Sequence, residues 1–305
     1  MFLTGFADEA SPLPEVQIAV TKKLGWSHIE SRMVWDTRLG MMTDAQFETF
    51  QGLLNDAGIT LSCYGSSVAD WSRHPRKQED FEASRKELLT AIPRMKKLGC
   101  NMIRGMSFLR PNDEAPDSPE LEAIIFAKMR ELLKICEDNG VIYAHENCMN
   151  YGGLSHLHTL KLLDAVKSPA LKLVFDTGNP CFNLRRIGTP PYAIQSSWEF
   201  YRNVREFIVY VHVKDGTANL NAKGEIENTV FTFAGFGNGD LRAIVSDLRQ
   251  RGYDGGFSIE PHLGCVFHET NANASTEELD RMKQDVYVKY GRNFMNLLRD
   301  CGYEC

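Results

Sequence analysis

Short apolar runs alternate along the chain with longer stretches in which apolar residues recur at helical spacing. The short runs are Phe2 to Phe6, Ser27 to Ser31, Ile59 to Tyr64, Asn101 to Arg104, Val141 to Glu146, Leu171 to Asp176, Ile208 to His212 and Gly256 to Glu260. The stretches between them carry helix start and stop signals. Pro14 opens one that stops at Gly25. Thr43-Asp-Ala-Gln46 has capping-box spacing ahead of a face made by Phe47, Phe50, Leu53 and Leu54, and Gly58 ends it. From about Glu79 to Leu98, the spacing predicts Phe81, Leu88, Leu89, Ile92 and Met95 inward. Ser118 and Pro119 start a helix that ends at Asn139-Gly140. Further helices are predicted over Leu154 to Val166 and Ala193 to Arg205. Asp240 is expected to cap the helix carrying Leu241, Ile244, Val245 and Leu248, with Gly252 closing it. Ser275-Thr-Glu-Glu278 has the spacing to cap the last one.

Eight strands alternating strictly with eight helices predict a parallel sheet covered by helices. Closure removes the edges of such a sheet, so the expected fold is an α/β (β/α)8 TIM barrel. An open doubly wound sheet would carry a glycine-rich first turn, and Gly5-Phe-Ala-Asp-Glu9 is not one. The 305 residues fit a single domain, 1–305, without a linker. The segment from Lys214 to Asn238 interrupts the alternation, and Asn221-Ala-Lys-Gly224 inside it reads as a hairpin turn.

Composition changes this picture little. A hydrophobic fraction of 43% supplies a sizeable core, and a net charge of −6 argues against a nucleic-acid surface. No apolar run approaches the roughly 18 residues of a membrane span. The N-terminus lacks the basic region of a signal peptide and reads as a strand. None of the eight cysteines forms a C-x-x-C pair, so reduced thiols and a cytoplasmic location are expected.

The last four strands carry the chemistry. They stop on Glu146, Asp176, His212 and Glu260, which are 30, 36 and 48 residues apart in turn. Strand C-termini share one face of a parallel barrel, and chemistry sits there. A lone acid at a strand end is commonly a helix cap or a solvated loop residue. Metal-capable side chains on four consecutive strands are a different matter. Three carboxylates at one mouth repel strongly unless a cation lies between them. An oxygen-rich shell with one imidazole suits Mn²⁺, Mg²⁺, Co²⁺ or Fe²⁺ better than a structural zinc, which prefers thiolates. Mn²⁺ is the first choice.

His145-Glu-Asn147, Phe175-Asp-Thr-Gly-Asn179, His212-Val-Lys-Asp215, the glycine-rich Phe233 to Asp240 and Ile259-Glu-Pro-His262 resemble the xylose-isomerase-like barrel superfamily. Its members include ketose 3-epimerases, hydroxypyruvate isomerases and keto-inositol dehydratases. The resemblance implies metal binding by Glu146, Asp176, His212 and Glu260, with Glu146 and Glu260 also the catalytic acid/base pair. It implies a small-molecule sugar or keto-polyol substrate and an enediolate intermediate. Homo-oligomers are common in the superfamily, and the Lys214 to Asn238 insertion is a candidate interface. The chain departs from the epimerase pattern twice: Asn179 stands where those enzymes place a histidine, and Lys214 is the cation where they place an arginine. The H-x-K-D form also occurs in dehydratase-like members, so a keto-inositol dehydratase-like lyase is the alternative. A DNA-repair phosphodiesterase like endonuclease IV needs a three-zinc cluster and a basic groove, which eight histidines and a charge of −6 do not favour.

Substrate contacts are expected from Lys214, His262, Asn179 and Trp71, with His74 beside Trp71 as a second ring able to stack on a sugar or anchor its loop. Strand alternation turns His145 away from Glu146, toward a structural role. Glu30, Arg32 and Arg104 also end strands and make the mouth more polar. Arg185 and Arg186 either read an anionic group or lie in a solvated loop.

Overall fold

The computed structural model describes residues 1–111, 113–263 and 276–304. The apolar runs become β1 (Phe2–Gly5), β2 (His28–Ser31), β3 (Thr60–Gly65), β4 (Met102–Gly105), β5 (Ile142–Glu146), β6 (Leu171–Asp176), β7 (Ile208–Val213) and β10 (Gly256–Ile259). These form one eight-stranded sheet in the order β1-β10-β7-β6-β5-β4-β3-β2, every pairing parallel. A parallel bridge between Phe6 and Glu30 brings the last strand back to the first, so the barrel is nearly closed. The helices that cover it are α1 (Pro14–Lys23), α2 (Asp44–Ala57), α3 (Gln78–Lys97), α4 (Pro119–Asn139), α5 (His156–Val166), α6 (Ser197–Val204), α7 (Leu241–Gln250) and α8 (Thr276–Asp300). The fold is the (β/α)8 TIM barrel that the alternation predicts. The inserted segment is the expected hairpin, with β8 (Gly216–Leu220) antiparallel to β9 (Ile226–Phe231).

Period-two alternation divides each strand between two environments. Outward residues join the main core under the helices, where Phe257 and Tyr143 meet Leu88, Leu132 and Leu298. Inward residues fill the lumen, where Cys63, Ala144, Val174 and Tyr210 form a small apolar plug. Two positions beyond Ala144, Val174 and Tyr210 on the same faces stand Glu146, Asp176 and His212. The plug is therefore the floor on which the polar mouth rests.

Local signals were followed at most helix ends. Thr43 and Gln46 make the full capping box of α2, and Gly58 ends it at φ 64°. Ser118 accepts from Leu121 N at the start of α4. Three expectations need correction. Leu89 is 49% exposed and not inward, because the buried stripe of α3 runs through Leu88, Ala91, Ile92 and Met95. α6 begins at Ser197, four residues after Ala193, with Ser196 as its cap. Asp240 precedes α7 but makes no cap bond to it. Its backbone is left-handed, φ 53°, and its carboxylate accepts instead from Trp198 N in the first turn of α6. The last capping box begins at Ser275, outside the described residues.

Candidate metal centre

Glu146 and Asp176 end β5 and β6 on the lumen side, His212 is the penultimate residue of β7, and Glu260 follows β10 directly. These strands are neighbours in the barrel, so the four side chains converge. Each offers one ligand atom within 4.8 Å of the others, and all four residues are buried. His212 Nδ1 lies 3.9 Å from both Glu146 Oε1 and Glu260 Oε2.

Supporting groups hold each member in place. Asp176 Oδ1 accepts from Gly178 N at 2.9 Å and Asn179 N at 2.6 Å. Asn147 pairs with the Asp176 backbone in both directions. His212 Nε2 is 3.2 Å from Glu30, whose other oxygen accepts from Ser258 Oγ at 2.5 Å. That contact leaves Nδ1 for the centre, as a carboxylate behind a ligating histidine does in metal sites. Arg104 Nε stands 3.2 Å from Glu146 Oε2, and Arg32 Nη1 donates to Glu260 Oε1 at 3.1 Å. Arg32 also binds Asp8 at 2.9 Å.

Lys214 is buried, with Nζ 3.2 Å from Asp176 Oδ2 and 2.9 Å from Glu260 Oε2. Both contacts are ion pairs, not hydrogen bonds. Asp176 Oδ2, Glu260 Oε2 and His212 Nδ1 remain buried without a hydrogen bond among the described residues. Such orphaned atoms are costly. All three belong to the quartet and face one point, so the donor set fits a hard divalent cation.

Charge at the centre is strongly tuned. Burial opposes ionisation of Glu146, yet Arg104 and then His212 pull its carboxyl down to about 2. Glu260 is likewise held well below the usual range by Lys214, His262 and Arg32, against burial. Asp176 goes the other way: burial lifts it to about 6, although Lys214 opposes the rise. Burial disfavours a charge on His212, but Glu30 and Glu146 raise it to about 10. The surroundings of the quartet therefore favour positive charge at its centre.

Glu146 and Glu260 of the quartet line a cavity of about 570 Å³, together with Arg32, Arg104, Asn179, Lys214, His262 and Trp71. All four residues expected to touch substrate thus face one space. Asn179 and Lys214, the two departures noted in the sequence, are joined to each other. Lys214 Nζ donates to Asn179 Oδ1 at 3.2 Å, while Asn179 Nδ2 donates to Glu146 Oε1 at 2.9 Å. His262 sits at φ 55°, and Glu9 holds it through both backbone N and ring Nδ1, each at 2.8 Å. Trp71 stands at the rim, 50% exposed.

Other candidates lie outside this cavity. His145 points away from Glu146, as alternation predicts, and its Nε2 meets Ser107 Oγ and Asn150 Oδ1. His74 anchors its loop through Asp80 and Arg76 N. Arg185 pairs with Glu199, and Arg186 covers the Tyr192 ring. Glu9, Asp8 and Asp215 stand in stretches that the sequence singles out, but no role for them could be read there. Asp215 is fully buried and accepts four backbone N–H groups, from Gly216, Gly235, Gly237 and Gly239. A side chain on Gly237 would collide with that carboxylate. Glycines at alternate positions 235, 237 and 239 were the available signal that backbone closes on something there.

Fold and quartet together define a (β/α)8 barrel whose C-terminal mouth can hold a divalent cation. The profile of the xylose isomerase-like TIM barrel family matches residues 18–284, and the chain belongs to that family. An uncharacterized protein of Methanocaldococcus jannaschii is 28% identical over 138 residues, a match spanning 44% of this chain and 42% of that protein's length. Among solved structures, D-psicose 3-epimerase with D-tagatose from Clostridium cellulolyticum superposes with a TM-score of 0.67 at 18% identity, covering 98% of this chain and 99% of that one. A xylose isomerase-like TIM barrel protein of Mycobacterium smegmatis in complex with magnesium gives a TM-score of 0.64 at 18% identity, covering 93% and 89%. At these identities the superpositions speak for the fold. Among the described residues no helix is long and apolar enough to cross a membrane.

Proposed function

We propose that the protein is a divalent-metal-dependent sugar isomerase or epimerase acting on a ketose or keto-polyol. The observation that carries this reading is the convergence of four buried ligand atoms within 4.8 Å of one another. Three of the atoms facing that centre have no hydrogen bond among the described residues. Glu146, Asp176, His212 and Glu260 are the ligands, with Mn²⁺ the first choice and Mg²⁺, Co²⁺ or Fe²⁺ of compatible chemistry. A cation held there would act as a Lewis acid that polarises the substrate carbonyl.

The chain's own residues do the rest. Arg104 keeps Glu146 ionised, and Lys214, His262 and Arg32 keep Glu260 ionised, so either carboxylate can accept the proton on the carbon beside the carbonyl. Loss of that proton leaves an enediolate. Once the other carboxylate has taken a proton from solvent, its delivery to the same carbon from the other face inverts the centre, and return of the abstracted proton to the neighbouring carbon moves the carbonyl. Lys214, Asn179 and His262 border the reacting end and orient hydroxyls, and Trp71 offers a ring face at the rim.

The linked Asn179–Lys214 pair favours a second reading. It replaces both groups that set the epimerase pattern, and an ammonium beside the enediolate can assist loss of a hydroxyl, which is lyase chemistry. Proton NMR of ketose and keto-inositol substrates in D₂O with the metal-loaded protein separates the two. Isomerase or epimerase action gives deuterium incorporation with the hydroxyl count preserved, and elimination gives an unsaturated or diketo product. Glu146→Gln and Glu260→Gln are expected to slow exchange by at least about 100-fold. Exchange at the wild-type rate in both variants, at full metal occupancy, would end the acid/base assignment.

A further inference from the structure

Two arginines and a lysine touch the quartet, and they differ in the donors they have left. Arg32 engages Asp8, Glu260 and Glu9 with its three guanidinium nitrogens. Lys214 is shared among Asp176, Glu260 and Asn179. Arg104 is not used up. Its Nη1 donates to Ser66 O at 2.8 Å, and its Nε stands 3.2 Å from Glu146 Oε2. Nη2 has no hydrogen bond among the described residues. The residue is 6% exposed and lines the cavity, and its Nε is enclosed by protein. Nη2 is therefore the nitrogen that opens on the cavity.

The side chain has a firm mount. Arg104 pairs with Ala144 across β4 and β5, on the lumen side. Ser66 N and Oγ donate to the Arg104 backbone oxygen at 3.2 and 2.6 Å, and Ser66 O accepts from Nη1. Ser66 is itself fully buried. The guanidinium carbon lies 5.4 Å from the centre of the buried Phe6 ring. A donor held this way is aimed before a ligand arrives, so little side-chain freedom is lost on binding. A guanidinium only donates, so the partner of Nη2 is an oxygen acceptor.

Geometry says which oxygen. Nε–H and Nη2–H leave one edge of the planar guanidinium side by side. Nε faces Glu146 Oε2, so an acceptor on Nη2 lies beside that carboxylate oxygen. Glu146 is one of the two groups proposed to take the proton from the carbon next to the carbonyl. The carbonyl oxygen and the hydroxyl on that carbon become the two enediolate oxygens and face the quartet. The hydroxyl one carbon further along is left for Arg104. We infer that Arg104 is a substrate-binding residue that donates Nη2–H to this hydroxyl and so sets the reacting carbon against Glu146. In a 2-ketose it is the C4 hydroxyl. This inference rests on the keto-sugar chemistry proposed for the quartet.

D-fructose and 4-deoxy-D-fructose differ only in that hydroxyl. Calorimetry with the Mn²⁺-loaded protein should show D-fructose binding at least about 10-fold more tightly, as befits a hydrogen bond to a charged group. Arg104→Met removes the donors, and Arg104→Lys keeps the charge beside Glu146 without the fork. Each should bring the ratio down toward one, with circular dichroism and Mn²⁺ titration confirming fold and metal loading. A role confined to holding Glu146 would weaken both sugars alike and leave the ratio as it was. A wild-type ratio of one or less, a ratio unchanged in the folded, metal-loaded variants, or no binding of D-fructose would overturn the inference. Proton exchange of D-fructose in D₂O judges the quartet chemistry separately. Exchange without a preference for the C4 hydroxyl removes the Arg104 contact and keeps the isomerase reading. The preference without exchange keeps the contact and removes that reading.

Discussion

Glu30 shows how a residue outside the quartet can govern it. It is fully buried, is not among the residues lining the 570 Å³ cavity, and stands 3.2 Å from His212 Nε2. Its charge fixes which imidazole nitrogen faces the centre. Glu30→Gln keeps the shape and removes the charge. Calorimetric Mn²⁺ affinity is expected to fall roughly 10- to 100-fold, with the circular dichroism spectrum unchanged. Unchanged affinity would remove Glu30 from this role. In the sequence Glu30 was visible only as an acid ending a strand. Its partner lies 182 residues away, and nothing local connects the two. The quartet was legible for the opposite reason. Each member ends its own apolar run, and period-two alternation turns it into the lumen two positions after Ala144, Val174, Tyr210 or Ser258.

At the scale of elements, local signals placed the helices well and went wrong where tertiary contacts compete. An aspartate before a helix ordinarily caps that helix. Asp240 instead takes a left-handed backbone and lends its carboxylate to Trp198 N, so α7 starts without a side-chain cap while α6 gains one. Asp240→Ala is therefore expected to cost about 0.5–2 kcal/mol in urea unfolding. Amide hydrogen exchange should rise at the first turn of α6. A rise confined to α7 would contradict the cross-element cap. The glycine-rich segment before α7 belongs to the same scale. Four N–H groups close on Asp215, which lies three residues past His212, so the loop is tied to the strand that carries a candidate ligand.

For the whole molecule, the barrel gathers negative charge at one buried point and balances it with Arg32, Arg104 and Lys214. A cation that binds the folded chain and not the unfolded one adds RT ln(1 + [L]/Kd) to stability. Free Mn²⁺ at 100 times its Kd should therefore raise unfolding free energy by about 2.7 kcal/mol. The gain should appear as a higher thermal midpoint, disappear with EDTA, and be absent in Asp176→Asn. A midpoint indifferent to Mn²⁺ and EDTA would argue against the metal centre.

The sequence by itself determined the number and order of strands, the barrel, and the four side chains at its mouth. Hydrophobic periodicity is a local property, and strand ends inherit the barrel's geometry. Tertiary structure alone decided what surrounds those four. Glu30 behind His212, Arg104 beside Glu146, Arg32 beside Glu260, and Lys214 bound to Asn179 are contacts between distant strands and loops, set by barrel closure and side-chain packing. The cavity lining is of the same kind: Trp71 and Ile226 are 155 residues apart and border one space only because β3 and β7 stand on opposite sides of the ring.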